Sequence, residues 1–520
     1  YKLRQSSSCM QKSNTASSSS MDKQFFLSFI VYPMVALTAL FLLKRKRSKS
    51  KLPLPPSPPT LPVIGNLHQL DHPLHRTLHK LSQKYGDLML LKFGNVNTLV
   101  VASADLTREV IKNHDIAFGS RAVRHATRRM SYDVTDITFA PYGEYWREVR
   151  KIAVLELLNP KRVQSFRPVR EDEVKILRNA VLRTDAAPFD LGEHLHALSN
   201  NLLCRVAFGR KFEGENGKKT PQDLLQETQT LVGTICLSDF FPWLWWLNKV
   251  NGFDARVEKN FLELDEVFDT VIQEHMDPNR PKPDGEDIVD VLLKIQADKS
   301  RMVSEVPTFI KAIISDMFIA GTDTTAATLI WAMTELIRSP SSLKKATEEV
   351  RELGKGKKEI DENELSQLSY IKAVIKETLR LHPPTPLLIP RETVEECEVR
   401  GYRIPAKTTV FINAYSMAMD PKSWDNPTEF RPERFLNSSI DFRGQHYELI
   451  PFGVGRRACP GLSFSAVAIE NVIANLLFWF DWELPRHVKV EDVDMADAVG
   501  IVVLKKTPLQ VVAKPVNICR

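Results

Sequence analysis

PFGVGRRACPG, residues 451–461, runs directly into a long stretch of helical apolar spacing that starts at Leu462. Gly453 and Gly455 let the backbone turn closely against a flat surface, because a residue without Cβ reaches conformations that others avoid. Arg457 supplies a fixed cation. Cys459 stands just before Pro460, a residue favoured in the first turn of a helix, so the spacing predicts a thiol at a helix start. There the positive end of the helix dipole and unpaired N–H groups stabilise a thiolate, lowering a pKa that is about 8.5 in a free cysteine. Most cysteines merely pack as small buried hydrophobes, and that reading suffices for Cys204 and Cys236. The six cysteines, Cys9, Cys204, Cys236, Cys397, Cys459 and Cys519, show no paired spacing. Neither a disulfide framework nor a C-x-x-C metal site is written here, and only Cys459 is singled out by its neighbours.

Working outward, residues 305–338 read as one long helix whose composition breaks at Ala320-Gly321-Thr322-Asp323-Thr324-Thr325, where small residues and hydroxyls cost helix propensity. In KETLRLHPP, Glu377 and Arg380 stand i, i+3 on one helix face, close enough to pair, and Arg434 lies in FRPERF, residues 430–435. Trp146 and Arg150 in WREVRK lie one helical turn apart, so both reach one ligand edge. Further helices are predicted over 105–113, 144–158, 171–183, 255–276, 341–353, 364–381 and 463–479. Residues 88–101, LMLLKFGNVNTLVV, give a hairpin about Gly94-Asn95, with short strands at 397–404 and 408–412. No strand-helix alternation appears, so the prediction is a single large, mainly α domain with a small β part.

The spacing Phe452, Gly455, Arg457, Cys459, Gly461 fits the pattern F-x-x-G-x-R-x-C-x-G at every fixed position and resembles the haem-ligand loop of the cytochrome P-450 superfamily. The other pieces fall in the expected order. AGTDTT resembles that family's oxygen-binding helix, KETLRLHPP and FRPERF its E-x-x-R and P-E-R-F elements, and PPSPP its hinge; together they are similar to the plant microsomal branch, the seventy-one clan. The resemblance implies the P-450 fold, with haem b ligated at the iron by Cys459. It implies that Trp146, Arg150, Arg391 and Arg457 hold the propionates, that Phe452 and Gly453 line the cofactor, and that Ala320 and Gly321 leave room over it. Asp323 and Thr324 would serve oxygen activation as a proton relay, with Glu377, Arg380 and Arg434 a structural network. Ile137, Ile319, Leu387, Leu388, Ile501 and Val502 would form an apolar substrate pocket.

The N-terminal part points to a membrane. Residues 1–24 read as a serine-rich leader with a natural start at Met21. Residues 25–43, FFLSFIVYPMVALTALFLL, span roughly 28 Å as a helix at about 1.5 Å per residue, near the thickness of a hydrocarbon core. Residues 44–62 form a basic, then proline-rich hinge, and 63–520 the catalytic domain. The run Lys44, Arg45, Lys46, Arg47 places the body on the cytoplasmic side of a single-pass protein by the positive-inside rule, and the resemblance to the microsomal branch implies the endoplasmic reticulum membrane. The net charge of +6, from 70 basic and 64 acidic residues, gathers largely in that run. A basic face on the body, as nucleic-acid binding requires, is missing. FFPWLWW, residues 240–246, reads either as core or as a patch at the lipid interface.

The implied activity is insertion of one oxygen atom from O2 into a small lipophilic metabolite of terpenoid, phenylpropanoid or alkaloid type. Electrons would come from NADPH through a membrane-bound reductase, with a b-type cytochrome as a further partner. The chain has no G-x-G-x-x-G opening a βαβ unit of its own. The alternatives are a reductase-independent haem-thiolate dehydratase or isomerase, which has no need of Asp323 and Thr324, and a membrane haem sensor without turnover.

Overall fold

The structure is a computed structural model and describes residues 52–212, 220–280 and 285–516. The predicted leader, the apolar span 25–43 and the basic part of the hinge lie outside the described residues. Two apolar runs form the hairpin read from the sequence, β1 (Leu88–Phe93) against β2 (Val96–Val101). Gly94 turns it at φ 57°, and a Cβ there would meet the Phe240 carbonyl and the Phe241 ring at 2.8 Å. β3 (Ser120–Arg121), β4 (Arg391–Glu392) and β5 (Thr409–Ile412) complete a five-stranded sheet in the order β1-β2-β5-β4-β3. β2 and β5 run parallel with Thr98 opposite Thr409, while β4 is antiparallel to both its neighbours. In that register Arg121 faces Arg391 across two strands.

The helices that matter for the site are α1 (Glu144–Ile152), α2 (Leu191–Phe208), α3 (Phe309–Arg338), α4 (Ser369–Leu381) and α5 (Leu462–Trp479). α1 continues to Leu157 as a wider π turn, which accounts for the predicted length of 144–158. α4 starts later than the predicted 364, because Asp361 and Glu364 cap a separate 3-10 turn over Glu362–Gln367. α3 is apolar on nearly every face, as a fully buried helix must be. Its first half, with Phe309, Ile313 and Phe318, packs in one core cluster, and its second half, with Leu329, Met333 and Leu336, in another. Between those halves lies the small, hydroxylated stretch 320–325. α5 is long and apolar enough to cross a membrane yet mostly buried in the protein, so it is a core helix.

The compact body begins at Leu54. The proline run lies along it: Asn66 Nδ2 donates to Pro58 O at 3.2 Å and Leu90 N to Pro56 O at 2.9 Å. In FFPWLWW the core reading holds for Phe241, which is buried, and fails for Trp243, Trp245 and Trp246, which are 56, 58 and 47% exposed. Phe240 packs edge-on against Phe93 at the β1 end. Gly65, just past the proline run, bridges to the same Phe93.

Candidate active site

The 451–461 loop presents its cysteine to a cavity of about 270 Å3. Gly453 and Gly455 both take φ 71°, the left-handed region that favours glycine. A Cβ on Gly455 would also lie 2.8 Å from Ile111. The Cys459 N–H donates to Phe452 O at 2.8 Å and closes the loop. α5 starts at Leu462 with Gly461 as its cap, so Pro460 precedes the helix instead of opening it. Even so, the N–H groups of Gly461 and Leu462 turn to the Cys459 sulfur and, with Arg150, favour the thiolate. The density of protein around the loop opposes them and is stronger, so the thiol pKa is raised from its usual value although the side chain is exposed to the cavity. The N–H groups and Arg150 thus pull in the expected direction without prevailing. A coordinating metal is what deprotonates such a thiol outright.

Four guanidinium groups ring the same cavity: Arg121, Arg150, Arg391 and Arg457. Arg391 donates to Asp115 at 3.1 Å and to Val454 O at 2.7 Å. Arg457 donates to Gly119 O at 2.9 Å and Ala140 O at 2.6 Å and lies 4.1 Å over the Trp146 ring. The Trp146 indole N–H is itself spent on Ile137 O at 3.0 Å. Arg121, held by Thr138 O at 3.1 Å, is the member that sequence reasoning missed. Nothing in FGSRAVRH marks it; only the pairing of β3 with β4 brings it to Arg391. Burial, then Arg391 and Arg457, pushes the Arg121 pKa well down, and burial followed by Arg391 brings Arg457 to about 9. Guanidinium groups keep their proton in proteins, so the cluster stays cationic, and like charges held this close favour an anion between them. A thiol, a ring of cations suited to two carboxylates and apolar walls make a donor set that fits a haem.

α3 lines the cavity with Ala320, Gly321, Thr324 and Thr325. A Cβ on Gly321 would meet Leu203 of α2 at 3.0 Å, so its smallness serves close packing of two helices as well as room in the cavity. Thr324 Oγ1 donates to Ala320 O at 2.8 Å. Asp323 points elsewhere, toward His196 of α2 with 3.7 Å between Oδ1 and Nδ1. Burial raises the Asp323 pKa against the pull of His196, and lowers that of His196. One helical step N-terminal to Ala320 stands Asp316, also in the cavity wall, which accepts the N–H groups of Ile137 and Thr138 at 2.7 and 2.9 Å. Beside it Asp136 accepts those of Phe139 and Ala140 at 2.8 and 3.0 Å. Burial raises both acids, and the facing Asp316 charge raises Asp136 further, well above its usual value. The pair was overlooked in the sequence, although Asp316, Ala320 and Thr324 at i, i+4 and i+8 share a helix face.

Away from the cavity, Glu377 and Arg380 on α4 are fully buried and joined twice, at 2.7 and 2.8 Å. Arg434 Nε reaches the same carboxylate at 2.9 Å, so all three predicted network residues meet. Of the predicted substrate-pocket residues, Ile137 and Leu388 line the main cavity. Leu387, Leu388 and Ile501 line a second one of about 150 Å3. Ile319 and Val502 line neither; Ile319 packs against the core behind α3, where its carbonyl accepts Gln229 at 2.7 Å.

A family model described as Cytochrome P450 matches residues 55–513. Cytochrome P450 71A9 of Glycine max is 50% identical over 94% of this chain and 99% of that protein. Strychnine-11-hydroxylase of Strychnos nux-vomica is 48% identical over 94% and 97%, and phenylacetaldehyde oxime monooxygenase CYP71AN24 of Prunus mume 45% over 94% and 95%. Among solved structures, a zebra fish cytochrome P450 with abiraterone aligns at TM-score 0.72 and 24% identity, over 86% of this chain and all of that one. That likeness concerns the fold.

Proposed function

The chain belongs to the cytochrome P450 family and is a haem-thiolate monooxygenase of the kind found in plant specialised metabolism, and from that premise we propose that Cys459 ligates a haem b with which it inserts one atom of O2 into a small lipophilic metabolite. The observation that carries this is the convergence of one thiol, four guanidinium groups and Thr324 on a single apolar cavity. Bound there, a haem-thiolate supplies the oxygen chemistry, its sulfur pushing electron density to favour O–O cleavage.

The chain's own residues do the rest. Arg121, Arg150, Arg391 and Arg457 bind the propionates, whose negative charge relieves their mutual repulsion. Thr324 holds a hydroxyl proton at the cavity wall, hydrogen-bonded to Ala320 O until it is needed. Asp323, kept protonated to higher pH by burial, passes a proton inward as a general acid, and His196, whose side chain is 26% exposed, connects it with solvent. The printed names of two relatives pair strychnine and phenylacetaldehyde oxime with their own enzymes; for this chain, the apolar lining supports hydroxylation or epoxidation of a lipophilic compound of terpenoid, phenylpropanoid or alkaloid type.

Electrons come from NADPH through a reductase, with a b-type cytochrome as an accessory donor. The protein sits on the endoplasmic reticulum with the body facing the cytoplasm. The apolar span 25–43 with its basic flank supports that placement, and so do Trp243, Trp245 and Trp246, exposed beside the β1 end where the proline run enters the body. The test is the reduced carbon monoxide spectrum of the purified, haem-loaded protein, followed by turnover with NADPH and reductase. A long-wavelength Soret band that Cys459→Ser abolishes is expected. A wild-type protein without the band, or product formed at full rate without NADPH, overturns the reading.

A further inference from the structure

The second cavity is lined mainly by apolar groups, among them Val232, Ile235, Phe411 and Ile501, with His72, His75, Thr127 and the guanidinium of Arg124. Among the described residues no carboxylate lines it, and His75 is turned to Asp497 at 3.4 Å behind the wall. Arg124 is half-buried, and among the described residues its side chain makes no ion pair or hydrogen bond. The carboxylate nearest in effect is Asp239, which attracts Arg124 through space while its oxygens accept the N–H groups of His125 at 3.0 Å and Cys236 at 3.3 Å. A half-buried guanidinium with free N–H groups facing an apolar chamber is suited to an anionic guest. The cavity adjoins the active one: Leu388 and Ile389 line both.

We infer that Arg124 is a specificity-determining residue that binds a carboxylate on the substrate, so that the enzyme acts on an apolar acid whose hydrocarbon part passes Leu388 into the main cavity. A guanidinium fork accepts a carboxylate bidentately, and in an apolar chamber that contact is stronger than in water. Burial lowers the Arg124 pKa, and the nearby Asp239, then Cys236, partly offset that. The inference rests on the haem-thiolate reading and adds the chemical class of its substrate.

The test uses the haem-loaded enzyme and Soret-shift titrations with dodecanoic, cinnamic and abietic acids, each against its own methyl ester. The carbon monoxide band is recorded first, and its absence sinks the haem-thiolate reading, not this one alone. With the band present, at least one acid is expected to bind about tenfold or more tightly than its ester, the worth of a charge-assisted contact. Arg124→Gln should erase that preference while leaving the ester unchanged, and Arg124→Lys should keep part of it. The band of each variant reports whether it has folded; should the Gln variant not fold, the Lys variant decides by weakening the acid and not the ester. A wild-type enzyme that prefers no acid overturns the inference, as does a preference that survives Arg124→Gln or, in the Lys variant, falls equally for acid and ester.

Discussion

Glu377→Gln removes the one negative charge in a place where its partners have nowhere to go. The carboxylate accepts two N–H groups of Arg380 at 2.7 and 2.8 Å, Arg434 Nε at 2.9 Å and the backbone N–H of Arg431 at 2.9 Å. Arg380 is fully buried and pinned by the carbonyls of Ala418, Pro427 and Glu429, so it cannot turn to water when its carboxylate is lost. An amide keeps one acceptor oxygen but sets its NH2 against a guanidinium donor. Breaking a buried pair from one side costs about 3–5 kcal/mol. Simple addition of three charge-assisted bonds would overshoot, because contacts sharing one carboxylate are not independent. A loss of about 4 kcal/mol is roughly a thousandfold in the folded ratio, a large part of the 5–15 kcal/mol typical of a domain. Urea unfolding followed by far-ultraviolet circular dichroism measures it, with an unchanged m-value showing that the end states are the same. A loss under about 1 kcal/mol would refute the argument, since it would mean the two arginines find water or a new anion.

Three further outcomes follow from the site. Thr324→Ala should retain haem and the thiolate band while diverting NADPH electrons to peroxide; full coupling of electrons to product would remove Thr324 from the mechanism. Asp136 binds its proton more tightly folded than unfolded, where its pKa is 3.8, so its contribution is complete below that value and is lost as pH rises through the folded pKa. Asp136→Asn keeps an acceptor for Phe139 and Ala140 with no proton to lose, and its Tm relative to wild type should improve between about pH 5 and about pH 8; a constant difference would show that Asp136 is not the proton holder. Asn437 in Asn437-Ser438-Ser439 is exposed and forms a glycosylation sequon. It should stay unmodified in microsomes, and a glycan removed by an endoglycosidase would put the body in the lumen.

The long, strongly patterned elements were legible because one local rule governs each. The hairpin about Gly94, the buried helix α3 and the E-x-x-R pair need only spacing to be read. The haem loop was legible because its five fixed positions have no simpler explanation. What escaped depends on contacts distant in sequence: Arg121 acquires meaning from β3 pairing with β4, and Asp136 from the face of α3 it meets. The direction of the Cys459 shift escaped for another reason. Helix-end N–H groups can be read from sequence, whereas the desolvation that outweighs them needs the surrounding atoms. Ile319 and Ala320, both expected near the site, part company on α3 because a helix turns about 100° per residue: Ala320 lines the cavity and Ile319 packs against the core.

Leu388 holds φ 52°, a backbone region that costs a branched residue about 1–2 kcal/mol, and it lines both chambers. Leu388 and Ile389 form the wall between them at this point, and the Leu388 side chain also reaches the sulfur loop, 4.0 Å from where a Cβ on Gly453 would stand. The wall and the sulfur loop are therefore packed together. Shaving residue 388 to glycine would relax the backbone and widen the passage beside Ile389, while a bulkier side chain would narrow it, and because the same side chain packs toward Gly453, the space for a guest and the support of the sulfur loop change together.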